Sequence, residues 1–259
     1  MTVMYTKIFG ERNCGATYLA KLIEKNFATD LLRGGFDLDR RVLRRVLQTA
    51  RPRDRQALNI QLQDQNHERL LYSDFGWTHA APPLDIVRSA PHSAHTLFVV
   101  ITKHPVHFLR SLHERPDNPL AKVESQTFEQ FLQSPWPLMQ RDGLDMDELE
   151  TPMELWNQKM RGCLALRDLS ENVVHIRYED LLSDFQETLG FLGEHIPAVT
   201  DAFAHVRRAT RGGDQRYEDF ARKYRYARIK QDFRKRDLEY IYRKVDADTL
   251  RTLGYREVM

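Results

Sequence analysis

Cysteine is scarce: Cys14 and Cys163 are the only two among 259 residues. Two thiols so far apart set up neither a disulfide framework nor the paired spacing of a metal site, so a reducing compartment is expected. Long apolar runs are missing as well. No stretch approaches the ~20 residues that cross a bilayer, and the opening residues lack a charged-then-apolar leader; a cytoplasmic protein is expected. Net charge is close to nil, at +2, which argues against nucleic acid as a partner of the molecule as a whole. Internal repeats, low-complexity tracts and linker-like stretches are absent, so 1–259 reads as one domain. No Gly-Lys-Ser/Thr follows a glycine turn. That excludes the ATP-type loop in which a lysine reaches the outer phosphates and a hydroxyl holds magnesium.

What is present is most telling at the start. A β-prone run, Val3 to Phe9, enters the loop Gly10-Glu11-Arg12-Asn13-Cys14-Gly15-Ala16-Thr17, and an amphipathic helix follows with Leu19, Leu22, Ile23 and Phe27 at helical spacing. Strand, glycine turn and helix make a geometry that grips phosphate: Gly15 lets the backbone approach an anion, and the first helical N–H groups have no internal partner. Arg12 adds a fork-shaped cation. A plain strand-to-helix turn with a surface arginine is the alternative. Cys14 at a helix N-terminus has the position of a nucleophile, but with no base partner in view a passive small residue is preferred.

Further along, helices are expected over Asp37–Thr49, with an apolar face of Leu43, Val46 and Leu47, and over Asp54–Tyr72, with Leu58, Leu62, Leu70 and Leu71. Ser73–Pro83 reads as a loop. Thr96–Thr102, TLFVVIT, is the unbroken apolar run of a strand buried on both faces, and Pro105 opens the next helix. Arg115–Arg141 reads as irregular, with a short helix near Phe128–Leu132. Pro152–Leu169 is expected as a helix, Asn172–Arg177 as a third strand, and Ser183–Leu192 as a helix capped by Ser183 or Asp184. The remainder is basic and mostly helical, broken at Thr210–Asp214. Alternating strands and helices indicate an α/β protein: one three-layer domain with a central parallel sheet covered on both faces and a helical C-terminal part.

Three ordered segments together resemble the sulfotransferases that use 3′-phosphoadenosine 5′-phosphosulfate (PAPS), and within them a bacterial branch opening with a GERNSGTTYL-like loop. They are the loop Arg12–Thr17; Lys103-His104-Pro105 with Ser111 eight positions after the lysine; and Arg177-Tyr178-Glu179-Asp180-Leu181-Leu182. The resemblance covers roughly 5–195 and implies the P-loop-like fold of that family. It further implies that Arg12, Asn13, Cys14, Gly15, Ala16 and Thr17 wrap the 5′-phosphate, that Lys103 and Ser111 grip the 3′-phosphate, and that Tyr18 falls where an aromatic stacks on adenine. His79, in Gly76-Trp77-Thr78-His79, is the implied general base toward an acceptor hydroxyl, with Arg12 stabilising the departing phosphate; His104 and His107 are its rivals. Arg211-Gly212-Gly213 is compared with an Arg-Lys-Gly that closes on the 3′-phosphate, a flexible turn being the alternative. The segment 177–182 is expected to pack and cap. PAPS as donor, PAP as product and no metal are implied.

The chain departs from the pattern in three places. Cys14 and Ala16 replace hydroxyl residues, Asn13 stands where many relatives carry a lysine, and Thr78 stands where this branch has a cation. A non-catalytic nucleotide-binding protein on the same fold therefore remains an alternative, and a small-molecule kinase a more distant one. The arginine-rich segments Arg40–Arg55 and Arg207–Arg236 suit an anionic glycan, a lipid-linked intermediate or a membrane surface. The acceptor is expected to be a saccharide or other hydroxylated metabolite.

Overall fold

The computed structural model describes residues 3–35, 40–200, 202–206 and 216–259. In chain order the first half holds β1 (Tyr5–Phe9), α1 (Ala16–Asn26), β2 (Asp30–Leu32), α2 (Arg40–Thr49), α3 (Arg55–Asp74), α4 (Leu84–Ser89), β3 (Thr96–Thr102) and α5 (Pro105–Glu114). The second half holds α6 (Phe128–Gln133), β4 (Trp136–Pro137), β5 (Glu148–Leu149), α7 (Pro152–Ala165), β6 (Val173–Arg177), α8 (Tyr178–Ser183) and α9 (Phe185–Gly193), then α10 (Tyr217–Lys223), α11 (Tyr226–Asp232), α12 (Lys235–Lys244) and α13 (Ala247–Thr252). Strands β4 and β5 form a small antiparallel pair.

The central sheet has the order β2-β1-β3-β6, and every neighbouring pair is parallel. Alternation along its strands divides the core in two. Ile8, Leu97, Val99, Ile101, Val174 and Ile176 join Leu19, Leu22 and Ile23 of α1 and the apolar residues of α8 and α9. Phe9, Phe98 and Val100 join α5, α7, α12 and α13 on the other side. Helices thus cover both faces, and all seven residues of β3 are buried, as an apolar strand inside a parallel sheet requires. Among the described residues no helix is long and apolar enough to cross a membrane.

The order places a topological switch point at the centre. From β1 the chain passes through α1 to β2 on one side, then returns to β3 on the other side of β1. The crevice beyond the carboxyl ends of β1 and β3 is where open parallel sheets take ligands. The loop Gly10–Gly15 and Lys103 both lie at those ends.

Several local expectations are corrected. The sheet has four strands, because Asp30–Leu32 pairs with β1; three residues beginning with an aspartate carry no periodicity to read. On α3 the four leucines are half-buried, and the buried residues are Asp64, Asn66 and His67. Asp64 pairs with Arg141 at 2.8 Å and His67 Nδ1 accepts the Trp77 N–H at 2.9 Å, so this helix meets its neighbours through polar contacts. Ser183 ends α8 and does not cap α9, and the Asp184 side chain makes no capping bond; the Ser183 hydroxyl donates to the Asp184 carboxylate at 2.7 Å. Helix α7 stops at Ala165 and continues as one tighter turn, Leu166–Asp168. The break expected at Thr210–Asp214 lies outside the described residues.

Candidate functional site

The loop after β1 is built by two left-handed residues, Asn13 (φ 64°) and Gly15 (φ 93°). Glycine is required at the second: a Cβ there would lie 2.3 Å from the Tyr178 ring. Leu19 bonds back to the Gly15 carbonyl at 2.9 Å, and no side chain caps the helix, so the amides of Ala16, Thr17 and Tyr18 have no partner inside α1. Thr17 is exposed and Ala16 buried. The Asn13 amide donates to the Arg115 carbonyl at 2.7 Å, tying the loop to the end of α5.

Lys103 and Ser111 come together as their eight-residue spacing suggests. Lys103 follows β3, is 2% exposed, and donates to the Asn13 carbonyl and to Ser111 Oγ, the latter at 3.4 Å. Its ammonium lies 4.3 Å from the ring centre of Tyr178 and 4.0 Å from that of Tyr224, contacts that stabilise a desolvated cation by ~2 kcal/mol each. Among the described residues no carboxylate pairs with it. A buried lysine held by π-faces, a carbonyl oxygen and a hydroxyl is a cation lacking its anion, at the mouth of a loop with open amides.

Arg12 is 1% exposed and faces carboxylates. One terminal nitrogen pairs with Glu11 at 2.9 Å and the other with Asp142 at 2.7 Å. Lys159 of α7 pairs with Glu11 and, at 3.0 Å, with Asp142. Two acids and two bases therefore form a neutral buried quartet. Burial by itself would push the Asp142 and Glu11 carboxyls up; Lys159 first, then Arg12, hold both below the usual carboxylate range. Arg12 Nε is buried with no partner, and the guanidinium lies 4.7 Å from the Trp77 ring centre.

His79 borders this quartet. Its Nδ1 bonds the Gly10 carbonyl at 2.6 Å, Gly10 N–H donates to the Thr78 carbonyl at 3.0 Å, and Lys159 donates to the His79 carbonyl at 2.6 Å. A carbonyl only accepts, so Nδ1 carries the hydrogen and Nε2 the lone pair. Burial pushes the imidazole down to about 4, against the pull of Glu11 and the Gly10 carbonyl; it is neutral near pH 7. The rival His104 has spent its lone pair, because Nδ1 accepts the Val106 N–H and Nε2 bonds the Arg256 carbonyl. His107 is buried against Glu179 at 3.1 Å.

Cys14 is buried and burial pushes its thiol up, away from the thiolate form that a nucleophile needs. Tyr18 bonds His205 Nε2 through its hydroxyl at 3.3 Å. The Arg177–Leu182 segment packs and caps: Tyr178 seats against Gly15, and Glu179 accepts the His104 N–H at 3.0 Å beside the start of α5. Arg211 and Gly212 lie outside the described residues.

Sequence reasoning did not single out Asp142, Lys159 or Tyr224. Lys159 had a signal. It sits three and four residues from Trp156 and Leu155, and four from Cys163, on the buried stripe of α7, and a lysine on such a stripe needs a buried acid. Asp142 and Tyr224, in segments without apolar periodicity, had none.

No family model matches the chain, and no curated protein does. Among solved structures, one match spans 100% of this chain and 99% of the other, with a TM-score of 0.52 and 13% identity. It is a sulfotransferase domain from the curacin biosynthetic pathway. At that identity the likeness is one of fold, and it agrees with the sheet and its two helical layers: this chain has the fold of a sulfotransferase domain.

Proposed function

We propose that the protein is a sulfotransferase that takes a sulfuryl group from PAPS and passes it to a hydroxyl of a saccharide or other small metabolite. The observation that carries this reading is the Lys103 cation, buried without a carboxylate beside Ser111 and the open amides of α1. The buried, partnerless Arg12 Nε fits an anionic ligand as well. When bound, the nucleotide supplies a sulfuryl group activated by its phosphate linkage. Lys103 and Ser111 hold the 3′-phosphate; Gly15, Ala16 and Thr17 hold the 5′-phosphate through backbone amides and the Thr17 hydroxyl. Asn13 and Cys14 shape the loop, and Tyr18 borders the adenine. His79 Nε2 takes the proton of the acceptor hydroxyl. Arg12 stabilises charge on the departing phosphate through its free Nε–H. Positioning and electrostatics supply most of the catalysis in group transfers of this kind. No metal enters this scheme. Arg44 and Arg45, exposed on α2 beside Val42 and Val46, are the cations that an anionic acceptor or a membrane surface would meet.

One observation favours a second reading, a protein that binds the nucleotide without transferring: two carboxylates already neutralise Arg12. Thermal unfolding with PAP, with ATP plus magnesium, and with the Lys103→Ala variant tests the donor site. PAP at a hundredfold over Kd adds ~2.7 kcal/mol, roughly 5–10 °C for a chain of this size. A shift with PAP that Lys103→Ala abolishes supports the reading; no shift, or one only with ATP, overturns it. Labelled donor offered with a panel of acceptors separates transfer from binding.

A further inference from the structure

Tyr224, just beyond α10, belongs to no motif, yet it reaches the Lys103–Ser111 pair from the far C-terminal part of the chain. Its hydroxyl lies 2.9 Å from Ser111 Oγ and its ring face 4.0 Å from Lys103 Nζ. Proton accounting fixes the direction of that bond. A serine has one hydroxyl hydrogen, and Ser111 donates it along its own helix to the His107 carbonyl at 2.8 Å. The Ser111 oxygen is therefore the acceptor, and the Tyr224 O–H donates to it. Lys103 points an N–H at the same oxygen. Two donors from distant parts of the chain thus converge on one neutral oxygen, an arrangement suited to an oxygen bearing charge. Burial pushes the Tyr224 phenol up, and the nearby ammonium groups, Lys103 more than Lys223, pull it back down. Tyr224 is 7% exposed and also lines a cleft of about 480 Å³ with Ala221 and Arg225.

We propose that the Tyr224 hydroxyl is a ligand of the nucleotide's 3′-phosphate, turning its hydrogen from Ser111 Oγ to a phosphate oxygen that Lys103 and Ser111 also hold. The proposal rests on the donor-site reading above and adds a residue to it. It also assigns selection between 3′-phosphorylated nucleotides and their unphosphorylated counterparts to Lys103 and Tyr224 acting together.

Titration calorimetry with PAP and with 5′-AMP, on the wild-type chain and on Tyr224→Phe, tests it. The phenylalanine keeps the ring over Lys103 and removes only the oxygen. The expected result is a fall of about tenfold or more in the preference for PAP, with 5′-AMP binding unchanged. Tyr224→His, which keeps a ring and a donor, is expected to restore part of the preference and gives a second reading if the phenylalanine variant folds poorly. A wild-type preference for PAP that Tyr224→Phe retains overturns the role of Tyr224 while leaving the donor site intact. Tighter PAP binding by Tyr224→Phe also overturns it, because the phenol is then an obstacle. A wild-type chain that does not distinguish PAP from 5′-AMP removes the donor-site reading and this proposal with it.

Discussion

Lys159 Nζ donates to the main-chain carbonyl of His79 at 2.6 Å while pairing with Asp142 at 3.0 Å. One buried ammonium from α7 thus fixes both the loop of the candidate base and the acid that holds Arg12. Lys159→Met is expected to leave Glu11 and Asp142 with one cation between them. Breaking a buried ion cluster by removing one partner costs ~3–5 kcal/mol, roughly 10 °C in the unfolding midpoint for a chain of this size. A midpoint within about 2 °C of wild type, on the same scale, would show that the quartet tolerates the loss.

The pH dependence of the proposed transfer is expected to report on His79. With its imidazole pushed down to about 4, the acid limb of kcat/KM is expected near that pH, well below the ~6.5 of a free histidine. His79→Ala is expected to lower the rate by ~10²–10⁴ without changing PAP binding. A limb between pH 6 and 7 would point to a different base.

Stability should fall on acidification in two stages. His67, His79, His104 and His175 are all pushed down to about 4, chiefly by burial. Between about 4 and the unfolded value of ~6.5 the unfolded chain binds more protons, so stability is complete above ~6.5 and drains away as pH falls toward 4. Glu11, Asp142 and Glu179 are held below their ordinary values. Their contribution is present above the unfolded carboxylate value of ~4 and is lost below it. Denaturant midpoints measured from pH 8 to 3 should show both stages; a flat profile down to pH 5 would contradict the first.

Gly15→Ala tests the loop. The left-handed backbone and the Tyr178 ring both oppose a Cβ, and a strained residue of this kind costs ~1–3 kcal/mol. Loss of PAP binding is expected alongside the lower midpoint. An alanine variant that binds PAP as wild type does would show that the loop is not shaped around the ligand.

The two thiols should be inert in the native state. Burial pushes Cys163 up to about 12 and Cys14 further, so alkylating reagents are expected to modify neither until the chain is unfolded. Rapid native labelling of Cys14 would reopen the nucleophile that the structure argues against.

The strand–loop–helix start, β3 and the proline-opened α5 were legible because each is written in consecutive residues, as an apolar run or a fixed spacing. Lys103 and Ser111 were legible for the same reason, being eight residues apart across one strand end and one helix. The quartet was not. Glu11, Arg12, Asp142 and Lys159 come from three distant segments, and a charge that is buried only because a remote charge cancels it looks like a surface residue from its neighbours alone. The polar face of α3 failed for this reason too: Asp64 is buried only because Arg141 meets it. Tyr224 lies between the short helices α10 and α11, where nothing local marks it.

The candidate ligands gather where β1 and β3 end and β6 passes into α8, which leaves the opposite rim, where these strands begin, clear of them. Glu171 is exposed on that rim, just ahead of β6. Since both natural thiols are buried, Glu171→Cys would carry the one accessible thiol of the native chain, a handle for a fluorophore or a surface tether that leaves the rim of the candidate site facing solution.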